Sequence, residues 1–326
     1  MDSEEILLRV RDLTKFFPVR SGSFLRKSSS FVHAVDGVSF DIRKGETLGL
    51  VGESGCGKTT TGRMICGLLE PSHGKILFDG KDIYSLNKKE LHDIRKRMQI
   101  VFQNPFASLD PRLPIGKSIE EPMIANHIGD SESRKKKAEE LLELVGLQKS
   151  YYSRFPHEFS GGQRQRIGIA RALILQPKLI ICDEPVSALD VSVQTQILNL
   201  LVDIQKQMHV SFLFISHDLN VVQYISDWIG VMYLGSLVEV IRAKDLYSRV
   251  KHPYTKALLS AVPATNPEKK KERIILEGDL PSPTNIPKGC CFHTRCPYAK
   301  EICRKQKPEN LVNGREMIAC HFPLTN

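Results

Sequence analysis

The strand–loop–helix pattern around residues 52–59 constrains the fold of this chain more than any other feature. These residues read GESGCGKT and fit the pattern G-x-x-x-x-G-K-[ST]. They follow an apolar run, 48–51, that predicts a buried strand, and they lead into a helical pattern over 59–69. Glycines in such a loop let consecutive backbone N–H groups curl around phosphates at the start of a helix. The pattern therefore predicts a nucleotide-binding α/β core.

Two side chains in this loop have a defined chemistry. Lys58 is expected to reach the β- and γ-phosphates of the nucleotide, and the Thr59 hydroxyl is expected to ligate Mg²⁺. The alternative is a glycine-rich turn with a chance lysine, which is disfavoured because a strand and a helix flank the loop. The residues expected to bind ATP here are Gly52, Ser54, Gly55, Cys56, Gly57, Lys58, Thr59 and Thr60.

Two further strand ends carry polar side chains. Residues 179–182 are apolar and precede Asp183 and Glu184, as in a central parallel strand whose C-terminal end opens on a ligand crevice. We expect Asp183 to hold the Mg²⁺ and Glu184 to polarise the attacking water. His217 follows another apolar run, 212–215, and can hydrogen-bond a γ-phosphate oxygen and that water. Either strand end alone would suggest an ordinary structural role, but beside a phosphate loop catalytic roles are favoured.

Residues 160–166, SGGQRQR, indicate a second helix start that can bind phosphate. Ser160 can cap a helix that runs from about Gly162 to Ile174, and the glycines permit close approach of the backbone to a phosphate. The first phosphate loop already fills the local site. We therefore expect a head-to-tail dimer, in which each chain offers this helix start to the nucleotide of the other through Ser160, Gly161, Gly162 and Gln163.

In order and spacing, these motifs resemble the ATP-binding subunits of ABC transporters over roughly residues 5–245. The resemblance identifies 52–59 as the Walker A motif, 160–163 as the signature, 179–184 as Walker B and 187–190 as the D-loop. It implies that Gln103 of the Q-loop joins the Mg²⁺ ligands Thr59 and Asp183. It also implies catalytic roles for Glu184, Gln103 and the switch histidine His217.

The same resemblance places an adenine-stacking aromatic at Phe17. Two departures from the family pattern are small. Phe17 replaces the usual tyrosine, which keeps the ring and loses a hydroxyl, and Phe159 stands where leucine is commoner before the signature.

Finer features resemble one branch, the oligopeptide and dipeptide importers. Residues 103–112 (QNPFASLDPR), 252–263 (HPYTKALLSAVP) and 281–283 (PSP) carry this resemblance, and residues 46–51 and 182–190 look more like its F-type subunit. The resemblance implies a heterodimer with a D-type ATPase paralogue beneath two integral membrane permease subunits, served indirectly by an extracytoplasmic solute-binding protein. Peptide is the expected cargo. The alternatives are nickel and oligosaccharides, which relatives in this branch import.

The implied fold is an α/β P-loop (RecA-like) ABC ATPase core with an antiparallel β subdomain, a helical subdomain and a C-terminal cysteine-rich extension. We expect residues 1–262 to form the ATPase domain and residues 263–326 the extension, after a Pro- and Lys-rich stretch over 263–288. Within the ATPase domain we expect an antiparallel sheet from residues 5–50, with a Ser-rich insertion at 20–30. Residues 51–102 and 178–245 are expected to carry the parallel core strands. The helical subdomain is expected at about 104–160, where 135–145 has a 3.6-residue periodicity.

Composition and charge narrow the location and the partners. The 326 residues are 41% hydrophobic, and no apolar run approaches the roughly 18 residues that a membrane-spanning helix needs. The sequence opens with no signal-peptide pattern, so we expect a peripheral protein on the cytoplasmic face of the cell membrane. A net charge of +9 favours anionic partners. Because no nucleic-acid-binding motif is present, we expect anionic lipid rather than nucleic acid.

Five of the eight cysteines fall within residues 290–320. A reducing cytosol disfavours disulfides. Without Cys291 the spacing is C-x5-C-x6-C-x16-C, which lacks the C-x2-C pairs of zinc sites and fits an iron–sulfur cluster better. Free thiols, or zinc with help from His293 or His321, are the alternatives. Segments 289–297 and 319–321 resemble a C-terminal element of peptide-importer ATPases, and this resemblance implies a [4Fe-4S] cluster on Cys290, Cys296, Cys303 and Cys320.

Two classes of function fit an ATPase core of this kind. One is a transport ATPase whose hydrolysis cycle drives a permease, and the other is a non-transport ABC ATPase of DNA repair or translation. The second class commonly places two ATPase units in one chain or inserts a long coiled coil. This chain has one set of motifs and no heptad run. We therefore expect a transport ATPase that uses ATP and Mg²⁺ to energise peptide import.

Overall fold

A computed structural model describes residues 5–19, 30–104, 109–262 and 273–325 of the chain. They form two compact units. The first unit contains residues 42–47 and 85–215 with the N-terminal residues through Ile6, and the second contains 7–41, 48–84 and the residues from Ser216 onward. The predicted Ser-rich insertion, apart from Ser30, and residues 263–272 of the predicted Pro- and Lys-rich stretch lie outside the described residues.

The strands are β1 (Ile6–Val19), β2 (Ser30–Arg43), β3 (Thr47–Val51), β4 (His73–Phe78), β5 (Lys81–Asp82), β6 (Met98–Val101), β7 (Leu179–Asp183), β8 (Ser211–Ser216), β9 (Trp228–Tyr233), β10 (Ser236–Arg242), β11 (Leu311–Asn313) and β12 (Glu316–Ile318). The helices are α1 (Lys58–Ile65), α2 (Lys88–Arg97), α3 (Ile115–Ala125), α4 (Ser131–Leu144), α5 (Gly161–Leu173), α6 (Val191–Met208), α7 (Leu219–Ile225), α8 (Pro253–Ala261) and α9 (Glu301–Lys305).

The first unit is built on parallel strands in the order β6–β7–β8. Every residue of β7 and β8 is buried, which fits strands covered on both faces. The chain between β6 and β7 contains α3 and α4, which lie within the region of about 104–160 predicted to be rich in helix, and then α5, which starts at the signature. The parallel arrangement brings the C-terminal ends of β6 and β7 to the same edge, because Val101 pairs with Cys182.

One sheet of the second unit has the order β2–β1–β4–β5, with antiparallel pairing of β4 to both β1 and β5. Of the residues 5–50 predicted to form an antiparallel sheet, β1 and β2 belong to this sheet, whereas β3 lies in another sheet and pairs with β9 in parallel. The prediction that residues 51–102 carry parallel core strands is right for β6 and wrong for β4 and β5. Only two residues, Asp79 and Gly80, join β4 to β5, and so tight a turn forces antiparallel pairing.

The other strands of the second unit follow the order β3–β9–β10–β12–β11. β3 and β9 are parallel, whereas β10 is antiparallel to β9 because only Leu234 and Gly235 connect them. The predicted parallel strands over 178–245 are thus wrong for β10. On its other side β10 pairs with β12, so residues 273–325, the C-terminal segment, extend the sheet of the second unit.

No helix in the described ranges is both long and apolar enough to cross a lipid bilayer.

Candidate functional site

The phosphate loop of the second unit leaves no room for side chains at two of its glycines. A Cβ atom on Gly52 would lie 2.2 Å from the carbonyl oxygen of Met232, and one on Gly57 would lie 2.2 Å from that of Ala34. Both glycines also have positive φ, +157° and +103°. The loop is thus pressed against backbone on both sides, which fixes its curvature at the N-terminus of α1.

Lys58 is folded back onto this loop. Its ammonium group donates to the carbonyl oxygens of Gly52 at 2.8 Å and Glu53 at 3.0 Å, and the side chain is buried. Burial raises the pKa of the nearby Cys56 thiol, and the positive charge of Lys58 opposes that rise. The loop therefore combines one buried cation with the backbone N–H groups at the start of α1, an arrangement suited to a polyphosphate.

In the first unit, Gln103 and Glu184 meet at the ends of β6 and β7. The Gln103 amide donates to the Glu184 carboxylate over 2.9 Å, and Ser187 Oγ donates to the Glu184 carbonyl over 3.1 Å. Glu184 has a φ of +48°, which is uncommon for a residue other than glycine. Asp183, immediately before it, is 5% exposed. The structure thus brings together three of the polar residues that the Q-loop, Walker B and D-loop resemblances point to: Gln103, Glu184 and Ser187.

The signature forms the start of α5 as predicted. The Ser160 side chain accepts from the amide of Gln163, and the Gln163 side chain accepts from the amide of Ser160, so the two close a capping box. Ser160 is exposed, whereas Gly162 is buried against α6. A Cβ atom on Gly162 would lie 2.3 Å from a methyl carbon of Val193. α6 is in turn capped by Asp190, the last residue of the D-loop.

Phe17 and His217 lie in the second unit and are both exposed. Phe17 is near the end of β1, where the ammonium of Lys15 lies 5.2 Å from its ring centre. His217 follows β8 directly, and the next residue, Asp218, caps α7. The remaining predicted nucleotide-binding residues, Ser54, Gly55, Thr59 and Thr60, lie in the phosphate loop and the first turn of α1.

The C-terminal segment brings its predicted ligands around one small cavity, which Cys290, Cys296, Cys303 and Cys320 all line. Burial raises the pKa of the Cys290 thiol to about 11, and the other three thiols, being close by, add to the rise. Cys291 lines another cavity of the same unit. Within the described residues, no group of three or more His, Cys, Asp or Glu side chains has an arrangement that could hold a metal ion. The predicted cluster is therefore not confirmed.

Sequence reasoning missed one set of contacts at the phosphate loop. Glu53, the second residue of the Walker A motif, pairs with Arg295 of the C-terminal segment, and its amide donates to the Tyr254 hydroxyl. Glu53 and Arg295 are 242 positions apart in the sequence. Nothing in the sequence near either residue indicates its partner. Glu53 lies in the phosphate loop and Arg295 directly precedes Cys296, but neither motif predicts that the two residues pair.

Comparison with known families and proteins identifies two matching regions. The ABC transporter family matches residues 35–187, and the family described as oligopeptide/dipeptide transporter, C-terminal region, matches residues 238–303. The oligopeptide transport ATP-binding protein AppF of Bacillus subtilis (strain 168) is 55% identical over 324 residues, which covers 98% of each chain. The di/tripeptide transport ATP-binding protein DppF of Pseudomonas aeruginosa (strain UCBPP-PA14) is 46% identical over 317 residues, covering 97% of this chain and 98% of that protein.

Solved structures agree with this assignment. The ATP-binding cassette MJ0796, in a dimeric post-hydrolysis state bound to ADP and Pi, superposes with a TM-score of 0.64 at 28% identity, over 72% of this chain and 98% of that one. CbiO1 from Clostridium perfringens, part of the ABC transporter complex cbiONQ, gives a TM-score of 0.65 at 28% identity, over 76% and 92%. With the phosphate loop, signature helix and C-terminal segment in place, this chain belongs to the ABC transporter family, among the ATP-binding proteins of oligopeptide and dipeptide transporters.

Proposed function

We propose that this chain is an ATP-hydrolysing subunit that energises peptide import across the cytoplasmic membrane. The proposal rests on sequence identity with peptide transport ATP-binding proteins, which extends along almost the whole chain and includes the C-terminal segment. The contact of Gln103 with Glu184 supports hydrolysis, because it directs a carboxylate at the end of a core strand. In the proposed division of the chain, residues 1–262 form the ATPase domain and 263–326 the extension.

The proposed roles in hydrolysis follow from the chemistry of each side chain. Lys58 and the loop amides bind the phosphates, with Gly52, Ser54, Gly55, Cys56, Gly57 and Thr60 shaping the loop. Thr59, Gln103 and Asp183 are the proposed Mg²⁺ ligands, since hard cations prefer oxygen donors. Glu184 accepts a proton from the attacking water, and His217 orients that water and the γ-phosphate. Phe17 offers an exposed ring to adenine.

We further propose that two ATPase subunits share each nucleotide. Ser160, Gly161, Gly162 and Gln163 of one subunit complete the site of the other. The cap on α5 supports this role, since it leaves Ser160 exposed at a helix start that can bind phosphate. The proposed partner is a D-type paralogue, because the chain itself resembles F-type subunits. The pair would sit on the cytoplasmic face of the membrane beneath two permease subunits, which an extracytoplasmic solute-binding protein supplies.

Reconstitution tests the proposed transport function. The chain, its paired ATPase and two permeases are placed in lipid vesicles with ATP and Mg²⁺ on the ATPase side, and the passage of labelled peptides is measured. We expect transport that requires ATP and the matching binding protein. Passage of nickel or oligosaccharide without peptide would favour the alternative cargoes. A chain that hydrolyses ATP but never co-purifies with membrane subunits would point to a non-transport ABC ATPase.

The cavity lined by four cysteines supports the proposal of a [4Fe-4S] cluster. A cubane needs one thiolate for each of its four irons. Four cysteines line one cavity here, which matches that number of ligands. Cys290, Cys296, Cys303 and Cys320 would hold the cluster, and it would tie residues 264–326 into a compact unit. We propose a structural role for it, with redox sensing as the alternative.

Anaerobic purification tests the cluster. We expect brown protein with about four irons per chain and the broad visible absorption of iron–sulfur centres. Serine at Cys290, Cys296, Cys303 or Cys320 should remove the colour, whereas Cys291→Ser should keep it, since Cys291 does not line the cavity that these four cysteines share. Colourless protein with one zinc per chain would overturn the cluster and leave the ATPase assignment intact.

A further inference from the structure

The phosphate loop of this chain carries a carboxylate that is held by residues from far downstream. Arg295 Nη1 lies 3.1 Å and 3.0 Å from the two carboxylate oxygens of Glu53. The amide of the same glutamate donates to the Tyr254 hydroxyl over 3.1 Å. Glu53 is thus bound at its side chain and at its backbone, and all three residues belong to the second unit.

Arg295 is rigidly placed for this contact. Its side chain is only 12% exposed, against 27% for that of Glu53. It lies between Phe292 and Cys296 in the sequence. Phe292 anchors this stretch, because its ring centre lies 5.2 Å from that of Tyr233 and 5.3 Å from that of Tyr254. A guanidinium fixed in this way loses little conformational freedom when it pairs with a carboxylate. The pair therefore loses less side-chain entropy than an ion pair between two fully exposed side chains.

The position of Glu53 gives this pair a consequence for ligand binding. Its own carbonyl accepts from the Lys58 ammonium, and the field of its carboxylate reaches Cys56 in the same loop. A negative charge here would repel a polyphosphate, whereas a guanidinium paired with it cancels most of that charge. The backbone contact to Tyr254 adds a geometric restraint on the loop residue whose carbonyl holds Lys58.

We propose that Arg295 and Tyr254 are positioning residues for the nucleotide. In this view Arg295 neutralises Glu53, Tyr254 fixes the backbone of the phosphate loop, and the C-terminal segment is thereby part of the nucleotide site. The inference rests on the proposed binding of ATP at this loop, and it extends that function to residues that no motif of the ATPase core includes.

Affinity measurements on four variants test the proposal. Titration calorimetry with Mg-ATP gives the dissociation constant, and hydrolysis by the assembled transporter gives KM and kcat. We expect Arg295→Met to weaken ATP binding and raise KM by about three- to tenfold, with kcat little changed, since one uncompensated charge then faces the phosphates. The matched control is Arg304→Met, an exposed arginine of the same segment, which should behave as the wild type.

If Arg295 acts on ATP affinity through its charge, it should have an effect that a simple loss of packing would not have. Glu53→Gln should bind ATP at least as tightly as the wild type, and Glu53→Gln combined with Arg295→Met should recover wild-type affinity to within about twofold. These outcomes hold even if Arg295→Met alone is poorly soluble. The inference is overturned if Arg295→Met binds ATP like Arg304→Met, or if the double variant stays as weak as Arg295→Met. A wild-type chain that fails to bind ATP would instead overturn the proposed function itself.

Discussion

Glu184 has a left-handed backbone conformation, with a φ of +48°, at the end of β7. Such a conformation persists in a non-glycine residue only where the surroundings impose it. Here the Glu184 amide donates to the carbonyl of Ile215 over 3.0 Å, and its carboxylate accepts from Gln103. Both ends of the residue are fixed, so the carboxylate has a defined direction. This is what the role of a general base requires.

Replacement of Glu184 by glutamine should separate binding from hydrolysis. The amide keeps the size of the side chain and can no longer take a proton, so we expect turnover by the assembled transporter to fall by roughly 10²-fold or more while ATP affinity is kept. Steady-state hydrolysis and ATP titration measure the two effects. The control is Glu140→Gln, an exposed glutamate of α4, which should leave both unchanged. Near-normal turnover in Glu184→Gln would rule out the proposed base.

The two glycines of the signature should respond differently to alanine. A Cβ atom on Gly162 would lie 2.3 Å from Val193, whereas one on Gly161 would lie 3.5 Å from Leu189, an ordinary contact. We expect Gly162→Ala to lower the free energy of unfolding of the isolated subunit by about 1–3 kcal/mol, the usual cost of overpacking. Gly161→Ala should change it by less than about 0.5 kcal/mol. Urea denaturation of both variants measures the difference. Equal free energies of unfolding would show that α6 shifts to accommodate the added methyl group without loss of stability.

At the scale of elements, local chemistry decides what a sequence can predict. The sequence predicts that α5 starts at about Gly162, and the helix starts at Gly161. The start can be predicted because the capping box lies within four consecutive residues. The predicted parallel orientation is wrong for β4, β5 and β10. β4 and β10 contain the apolar runs of strands, whereas β5 is only Lys81–Asp82, and the orientation of all three is fixed by tight turns and by pairing with residues far along the chain. A strand is visible in the sequence, whereas the orientation of its partner often is not.

Two helix caps can be compared to separate stability from function. Ser160 caps α5 in the signature, and Asp130 caps α4 by accepting from the amide of Ser133. Replacing either residue by alanine should lower the free energy of unfolding by about 1 kcal/mol. Only Ser160→Ala should also impair ATP hydrolysis by the assembled transporter, because only that cap is proposed to face a nucleotide. Equal losses of hydrolysis in both variants would mean that helix stability alone explains the effect.

At the scale of the molecule, the family could be predicted from the sequence, and the place of the C-terminal segment could not. The motifs of the ATPase core are contiguous and ordered, so the pattern of the phosphate loop predicts a role for Lys58, and the family resemblance implies one for Gln103. The pairing of β12 with β10 and of Arg295 with Glu53 joins residues that are far apart in the chain. Such contacts arise from tertiary packing and leave no local pattern. These contacts pack the C-terminal segment into the second unit.

Phe292 is the best test of this packing. It is 1% exposed and lies within 6 Å of the rings of Tyr233, Tyr254 and His252, measured between centres. We expect Phe292→Ala to lower the free energy of unfolding by about 3–5 kcal/mol, because the cavity left among these rings cannot close fully. Trp228, the single tryptophan of the chain, starts β9 in the same unit, so its fluorescence follows the unfolding of that unit in urea.

The matched control for this test is Phe322→Ala, in the same segment but 38% exposed, which should cost about 1 kcal/mol or less. Phe292→Ala should also weaken ATP binding, because Tyr254 would lose the ring that packs against it, 5.3 Å away between centres. A Phe292→Ala variant with the stability of Phe322→Ala would show that the C-terminal segment folds apart from the ATPase core. If that variant were destabilised yet bound ATP normally, the segment would support the fold of the second unit without positioning its phosphate loop.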